Sequence, residues 1–141
     1  MSTVSYDSVD VGTELPAGRY RVGRGDLIRY AGASGDFNPI HWNERIARSV
    51  GLLNVIAHGM YTMALAGRAL TDWTGDPGSV REFGVRFTKP VPVPDDDTGA
   101  EVVVTARVTE KLDDRRVRVE VLATCGGEKV LGQARAVVAL P

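Results

Sequence analysis

The chain has two histidines, and each stands beside a residue that would give an imidazole something to do. His41 closes the run GDFNPIH, five positions after Asp36. Pro39 disfavours helix at Asn38, so Asp36 and His41 lie on a tight loop running into the next short helix. A five-residue step round such a turn can bring a carboxylate and an imidazole toward one point. They then form a usable acid–base pair, because the charge on one sets the protonation of the other. The same residues equally suit an Asx-turn with a histidine at the surface, and spacing alone does not separate the two. His58-Gly59 sits at the start of an apolar stretch. A helix N-terminus there presents unpaired N–H groups and a positive dipole end, and glycine lets a ligand approach the backbone closely. A carbonyl polarised by the Gly59 N–H would be held in the manner of an oxyanion hole. The plainer reading has Gly59 relieving crowding and His58 serving as a capping or core histidine. Together, a base and a backbone donor at a buried helix end suit proton abstraction next to a carbonyl. No metal and no cofactor are expected: two isolated histidines and one distant cysteine, Cys125, do not make a ligand cluster.

Elements able to position these groups follow from apolar periodicity. Residues 18–24 (GRYRVGR) alternate Tyr20 and Val22 with arginines, a short strand. A helix follows over 26–33, with Leu27, Ile28, Tyr30 and Ala31 as its buried stripe, and 34–39 (SGDFNP) is turn chemistry. Asn43 caps a short helix over 44–49, which Gly51 ends. Residues 59–73 (GMYTMALAGRALTDW) are apolar on nearly every face, with Arg68 and Asp72 as the charges, which marks a buried helix. Strands then follow. Phe83, Val85 and Phe87 alternate with Glu82, Gly84 and Arg86, and Pro90, Pro92 and Pro94 impose an extended or edge segment. Three long strands cover 101–109, 116–125 and 129–140, with hairpin turns at Asp113-Asp114 and Gly126-Gly127. The expected class is α+β: a hot-dog arrangement, an antiparallel sheet wrapped round one long buried helix. Exposed sheet edges make dimerisation the expected remedy.

At 141 residues, with no internal repeat and no low-complexity linker, the chain reads as one domain over 1–141. The balance of 17 Lys+Arg against 18 Asp+Glu gives no electrostatic reason to expect nucleic acid or an anionic membrane. No apolar run approaches about 18 residues, so no membrane span is expected. Residues 1–10 (MSTVSYDSVD) show neither a basic nor an apolar leader region, and a soluble, cytoplasmic protein is the expectation.

Residues 30–41 (YAGASGDFNPIH), followed by 56–60 (IAHGM), closely resemble the signature of the MaoC-like R-specific enoyl hydratase/dehydratase family. Residues 85–94 (VRFTKPVPVP) resemble that family's strand after the central helix. Within it the likeness is strongest to the B subunits of actinobacterial (3R)-hydroxyacyl-thioester dehydratases of fatty-acid synthesis. The resemblance implies that Asp36 and His41 are the catalytic pair, that Asn38 helps orient the pair and the reacting water, and that the Gly59 N–H binds the thioester carbonyl. It implies reversible syn dehydration of (3R)-3-hydroxyacyl thioesters, on coenzyme A or acyl carrier protein, to trans-2-enoyl thioesters. It also implies a homodimer, or a heterodimer with another hot-dog subunit that completes the substrate tunnel.

Two other readings stay open on the residues: a hot-dog acyl thioesterase, and a non-catalytic partner subunit. Met60, Met63 and Leu70 suit either an acyl tunnel or plain core. Arg45, Arg48, Arg81, Arg86 and Lys89 suit either a phosphopantetheine phosphate or a solvated face. Trp42 and Trp73 read as packing residues.

Overall fold

A computed structural model describes residues 4–141; Met1, Ser2 and Thr3, which open the stretch read above for a leader, lie outside them. Five strands, β1 (Gly18–Val22), β2 (Val80–Phe87), β3 (Ala100–Leu112), β4 (Arg116–Cys125) and β5 (Glu128–Ala139), form one antiparallel sheet in the order β1-β3-β4-β5-β2. The β3–β4–β5 meander turns at Asp114-Arg115 and Gly126-Gly127, all four at positive φ, as two tight hairpins require. Alternation sets the faces. Val102, Val104, Val108, Val117, Val119 and Val121 point to the covered side and are buried, while Arg107, Glu120 and Leu122 point outward.

Among the described residues there are three helices, α1 (Arg24–Ser34), α2 (Glu44–Ser49) and α3 (Gly59–Thr74); α3 packs on the sheet, while α1 and α2 meet the 3-10 turn Pro39–His41. The longest, α3, buries Thr62, Leu65, Ala66, Ala69, Leu70 and Thr74. Its apolar composition predicts burial all round, but Met60, Ala64 and Arg68 face outward, because one five-stranded sheet covers only one side of a helix. Leu70 is core, Met63 is half-buried and Met60 is 57% exposed, so the three do not share one lining. On α1 the buried stripe is Leu27 and Ala31, one turn apart; Ile28, about 100° round the helix from Leu27, faces solvent.

The alternating prolines have a structural logic. Pro90, Pro92 and Pro94 lack N–H groups, and the residues between them do the pairing: Val91 O accepts from Ala57 N (2.9 Å) and Val93 N donates to Val55 O (2.8 Å). Val91 and Val93 are buried, so this short two-stranded ladder carries residues 55–57 along the core and delivers the chain to His58 at the head of α3.

Where β3 begins, Gly99 has φ +70°, and a Cβ there would strike the carbonyl oxygen of Val22 at the end of β1. A left-handed conformation and a backbone contact coincide, so no L side chain fits without displacing β1. Gly99→Ala is expected to cost more than about 1 kcal/mol in urea unfolding, whereas Gly32→Ala, whose added Cβ meets nothing within 4 Å, is expected to be neutral or stabilising.

Candidate functional site

His41 is the last residue of a single 3-10 turn, Pro39–His41, and only 7% of it is exposed. Its Nδ1 lies 2.7 Å from the carbonyl oxygen of Ile56. A carbonyl can only accept, so Nδ1 carries the proton and Nε2 keeps a free lone pair. Ile56 is itself held in place: its N–H donates to Ile40 O at 3.1 Å, and the Val55 and Ala57 bonds to the proline segment flank it.

Asp36 divides its carboxylate between two tasks. Oδ1 accepts from Asn38 N (3.1 Å), the Asx-turn that the sequence allowed, while Oδ2 faces His41 Nε2 at 3.8 Å. The two sequence alternatives are therefore not exclusive, since the turn itself aims the other oxygen at the imidazole. At 3.8 Å the two atoms are too far apart for a direct hydrogen bond. Asn38, expected to orient the pair, accepts from Ile40 N–H at its side-chain Oδ1 (3.2 Å) and donates its main-chain N–H to Asp36. Trp42, expected as a packing residue, is 45% exposed and donates Nε1–H to Phe37 O at 2.9 Å, tethering the Asp36 loop from outside.

Gly59 is the first residue of α3, so its N–H has no intrahelical acceptor. A Cβ at this position would meet the Phe87 ring at 3.0 Å; with none, the ring lies over the backbone of the helix start. His41 and Gly59 line the same cavity, about 340 Å³, together with Thr62, Phe87, Lys89 and Val91. Of the five basic residues considered for a phosphate, only Lys89 lines it, and Lys89 is paired with Glu128 at 3.3 Å. A larger hollow of about 500 Å³ lies beside Glu14, Leu15, Arg107 and Glu120; it contains no histidine, and Arg107 is paired with Glu120 at 3.8 Å.

The expectation that the histidines are isolated is incorrect. The His41 and His58 rings stack with centroids 3.7 Å apart and planes 20° apart. Sequence reasoning missed this because they stand 17 positions apart, and the ladder through Val55–Ala57 brings His58 back over the loop. Asp36, His41 and His58 each place one ligand atom within 4.8 Å of the others. These residues do not fit a metal ion well, because His41 Nδ1–H and His58 Nε2–H are committed to the carbonyls of Ile56 and Asp36, leaving each ring one nitrogen.

Burial, above all, holds the His41 pKa below the ordinary histidine value; the neighbouring His58 lowers it further, while the Ile56 bond and Asp36 oppose the shift. The unshared Nε2 is therefore available as a base near neutrality. Cys125, the lone thiol, is half-buried beside Glu101, and burial pushes its pKa up, which makes it a poor nucleophile.

Comparison with known proteins places these residues in context. A family model described as a MaoC-like domain matches residues 8–125. The 3-hydroxybutyryl-CoA dehydratase of Methylorubrum extorquens is 31% identical over 139 residues, 96% of this chain and 83% of that protein. The 3-hydroxyacyl-thioester dehydratase X of Mycobacterium tuberculosis is 42% identical over 79 residues, 56% of this chain and 27% of that one. A solved structure of a MaoC-like dehydratase superposes with a TM-score of 0.94 at 42% identity, covering 99% of this chain and 43% of its own. The chain thus spans less than half of two of these proteins and most of the third.

The depressed His41 pKa has a consequence for stability. The unfolded chain binds the histidine proton with ordinary affinity and the folded chain binds it less, so stability rises with pH in the window just below about 6.5. Urea unfolding over a pH series should show stability declining as pH falls through that window, and the His41→Gln variant should lack this component. Equal slopes in the two proteins would contradict the assignment.

Proposed function

This chain belongs to the MaoC-like family, and from that membership we propose that it is a hydro-lyase. It reversibly removes water from (3R)-3-hydroxyacyl thioesters to give trans-2-enoyl thioesters. The observation that carries this reading is that one cavity is lined at once by an imidazole with a free Nε2 and by the first amide of a long helix. Those are the two things an enolate-like transition state needs: a base for the Cα proton and a donor for the carbonyl oxygen.

In dehydration, the thioester carbonyl accepts from Gly59 N–H, and the α3 dipole stabilises the charge that builds there. His41 Nε2 takes the Cα proton. The Asp36 carboxyl gives a proton to the C3 hydroxyl, which leaves as water. The proton that His41 took from Cα then passes through water to Asp36, so the pair ends as it began. In hydration the same proton runs the other way. The 3.8 Å between Oδ2 and Nε2 leaves each group free to face its own substrate atom while both stand on one side of the substrate. That placement supports a syn course.

The substrate is an acyl thioester of coenzyme A or acyl carrier protein, and Asn38 contributes by shaping the Asp36 turn. The 141 residues are read as one hot-dog unit. It pairs with a second hot-dog subunit, of its own kind or another, because the outer flank of α3 at Met60 and Ala64 and the edge strand β2 are left uncovered. A cytoplasmic location follows from the substrate class. A hot-dog thioesterase would use a carboxylate to activate water and has no need of the neighbouring imidazole.

Hydration of a trans-2-enoyl thioester, followed by loss of its conjugated absorbance, tests this directly. Asp36→Asn and His41→Ala should each lower kcat/KM by about 10²–10⁴ while keeping the fold by circular dichroism. Near-full hydration by both variants, or release of free thiol in place of hydration, would overturn the proposal.

A further inference from the structure

His58 is 2% exposed, and nothing in the reaction above uses it. It nevertheless touches both members of the proposed pair. Its Nε2 lies 3.1 Å from the main-chain oxygen of Asp36, so Nε2 carries the proton and donates. Its ring stacks on His41, and Tyr30 of α1 packs edge-on against it with centroids 4.8 Å apart. Its own carbonyl accepts from Tyr61 N and Thr62 N, so the residue is rigidly joined to the first turn of α3. A buried Nδ1 with no hydrogen-bond partner is an unusual thing to retain. A leucine or phenylalanine would fill the same space without it, so the imidazole is there for its other edge and its face.

We propose that His58 is a positioning residue: one side chain that pins the Asp36 loop through its carbonyl and holds the His41 ring by stacking, setting the distance between acid and base. The proposal rests on the dehydratase reading for its kinetic consequences, but its structural claim stands without it. The argument is one of leverage. Asp36 is 53% exposed on a loop outside regular structure, and the bonds that shape the loop locally, from Ser34, Asn38 and Trp42, all come from within the loop or its immediate flanks. The His58 bond is the contact that joins this loop to α3, the element whose first amide faces the cavity. The Ile40–Ile56 and His41–Ile56 bonds reach the chain two residues before His58, whereas this bond ties the Asp36 backbone to the residue that precedes the Gly59 N–H.

Around the stacked pair stand Asp36 from the loop and Tyr30 from α1, with Tyr61 of α3 packed on Tyr30, and Lys89 lining the cavity that His41 lines. His58 also shields one face of His41 from water. Removing the ring should therefore move the His41 titration to higher pH, toward the ordinary value, because the burial that His58 adds and its nearness both hold that group down.

Two variants separate the two contacts. His58→Gln keeps a donor for Asp36 O and loses the stack; His58→Phe keeps a ring and loses the donor. Thermal melting first establishes that each is folded. In His58→Phe, kcat for enoyl-thioester hydration should fall about 10- to 100-fold, with KM changed by less than about threefold, as expected when a catalytic group drifts by a fraction of an ångström. In His58→Gln, the His41 midpoint, read by NMR from its ring proton, and the acidic limb of kcat/KM should both move upward. The NMR titration needs no turnover, so inactive wild-type protein with a shifted His41 midpoint in His58→Gln would defeat the dehydratase reading and leave the positioning claim standing. Folded variants with an unmoved His41 midpoint and kcat within threefold of wild type would overturn it.

Discussion

The hydrogen bond from His41 Nδ1–H to the carbonyl of Ile56, 2.7 Å long, is the contact on which the rest of the site depends. Its net worth to folding is modest, about 1 kcal/mol. Its chemical effect is larger, because it chooses the tautomer. With the proton held on Nδ1, the free lone pair sits on Nε2, the atom that faces Asp36. Had the ring the opposite tautomer, Nε2 would carry a hydrogen and no base would face the carboxylate. Burial acts in the same sense by disfavouring the doubly protonated ring.

That bond is only as reliable as Ile56, and Ile56 is placed by backbone pairing. Residues 55–57 are paired with the proline-spaced segment on one side and joined to the 3-10 turn at Ile40 on the other. The prolines let this segment pair at Val91 and Val93 while presenting no free N–H at the positions between them. The same ladder ends at His58 and Gly59, so one continuous stretch of chain delivers the second imidazole and the helix-start amide and holds the His41 ring through Ile56. A short, rigid path between functional groups is what keeps distances of a few ångströms reproducible in a small domain.

Much of this was legible in the sequence, for identifiable reasons. Strands β3 and β4 alternate over most of their length, and the Gly126-Gly127 hairpin carries turn chemistry that depends on little beyond itself. Asp36, Asn38, Pro39 and His41 announce a turn because local sterics and side-chain bonding decide it. What local reasoning missed was long-range. The stack of His41 on His58 needs the sheet to exist before it can be seen, and so does the half-exposed face of α3. Trp42 was misread because an indole suggests packing, whereas here its N–H, not its ring, ties down the loop. Asn38 stands where the motif puts it, and its side-chain oxygen caps the 3-10 turn by accepting from Ile40 N–H.

The central claim is that acid and base stand on the same side of the substrate, one on each of two atoms 3.8 Å apart. Stereochemistry tests it most directly. Hydration of a trans-2-butenoyl thioester in deuterium oxide, with the product analysed by proton coupling, should place one deuterium at C2 on the same face as the new hydroxyl at C3. Deuterium on the opposite face would require acid and base on opposite sides of the substrate, an arrangement Asp36 and His41 cannot adopt.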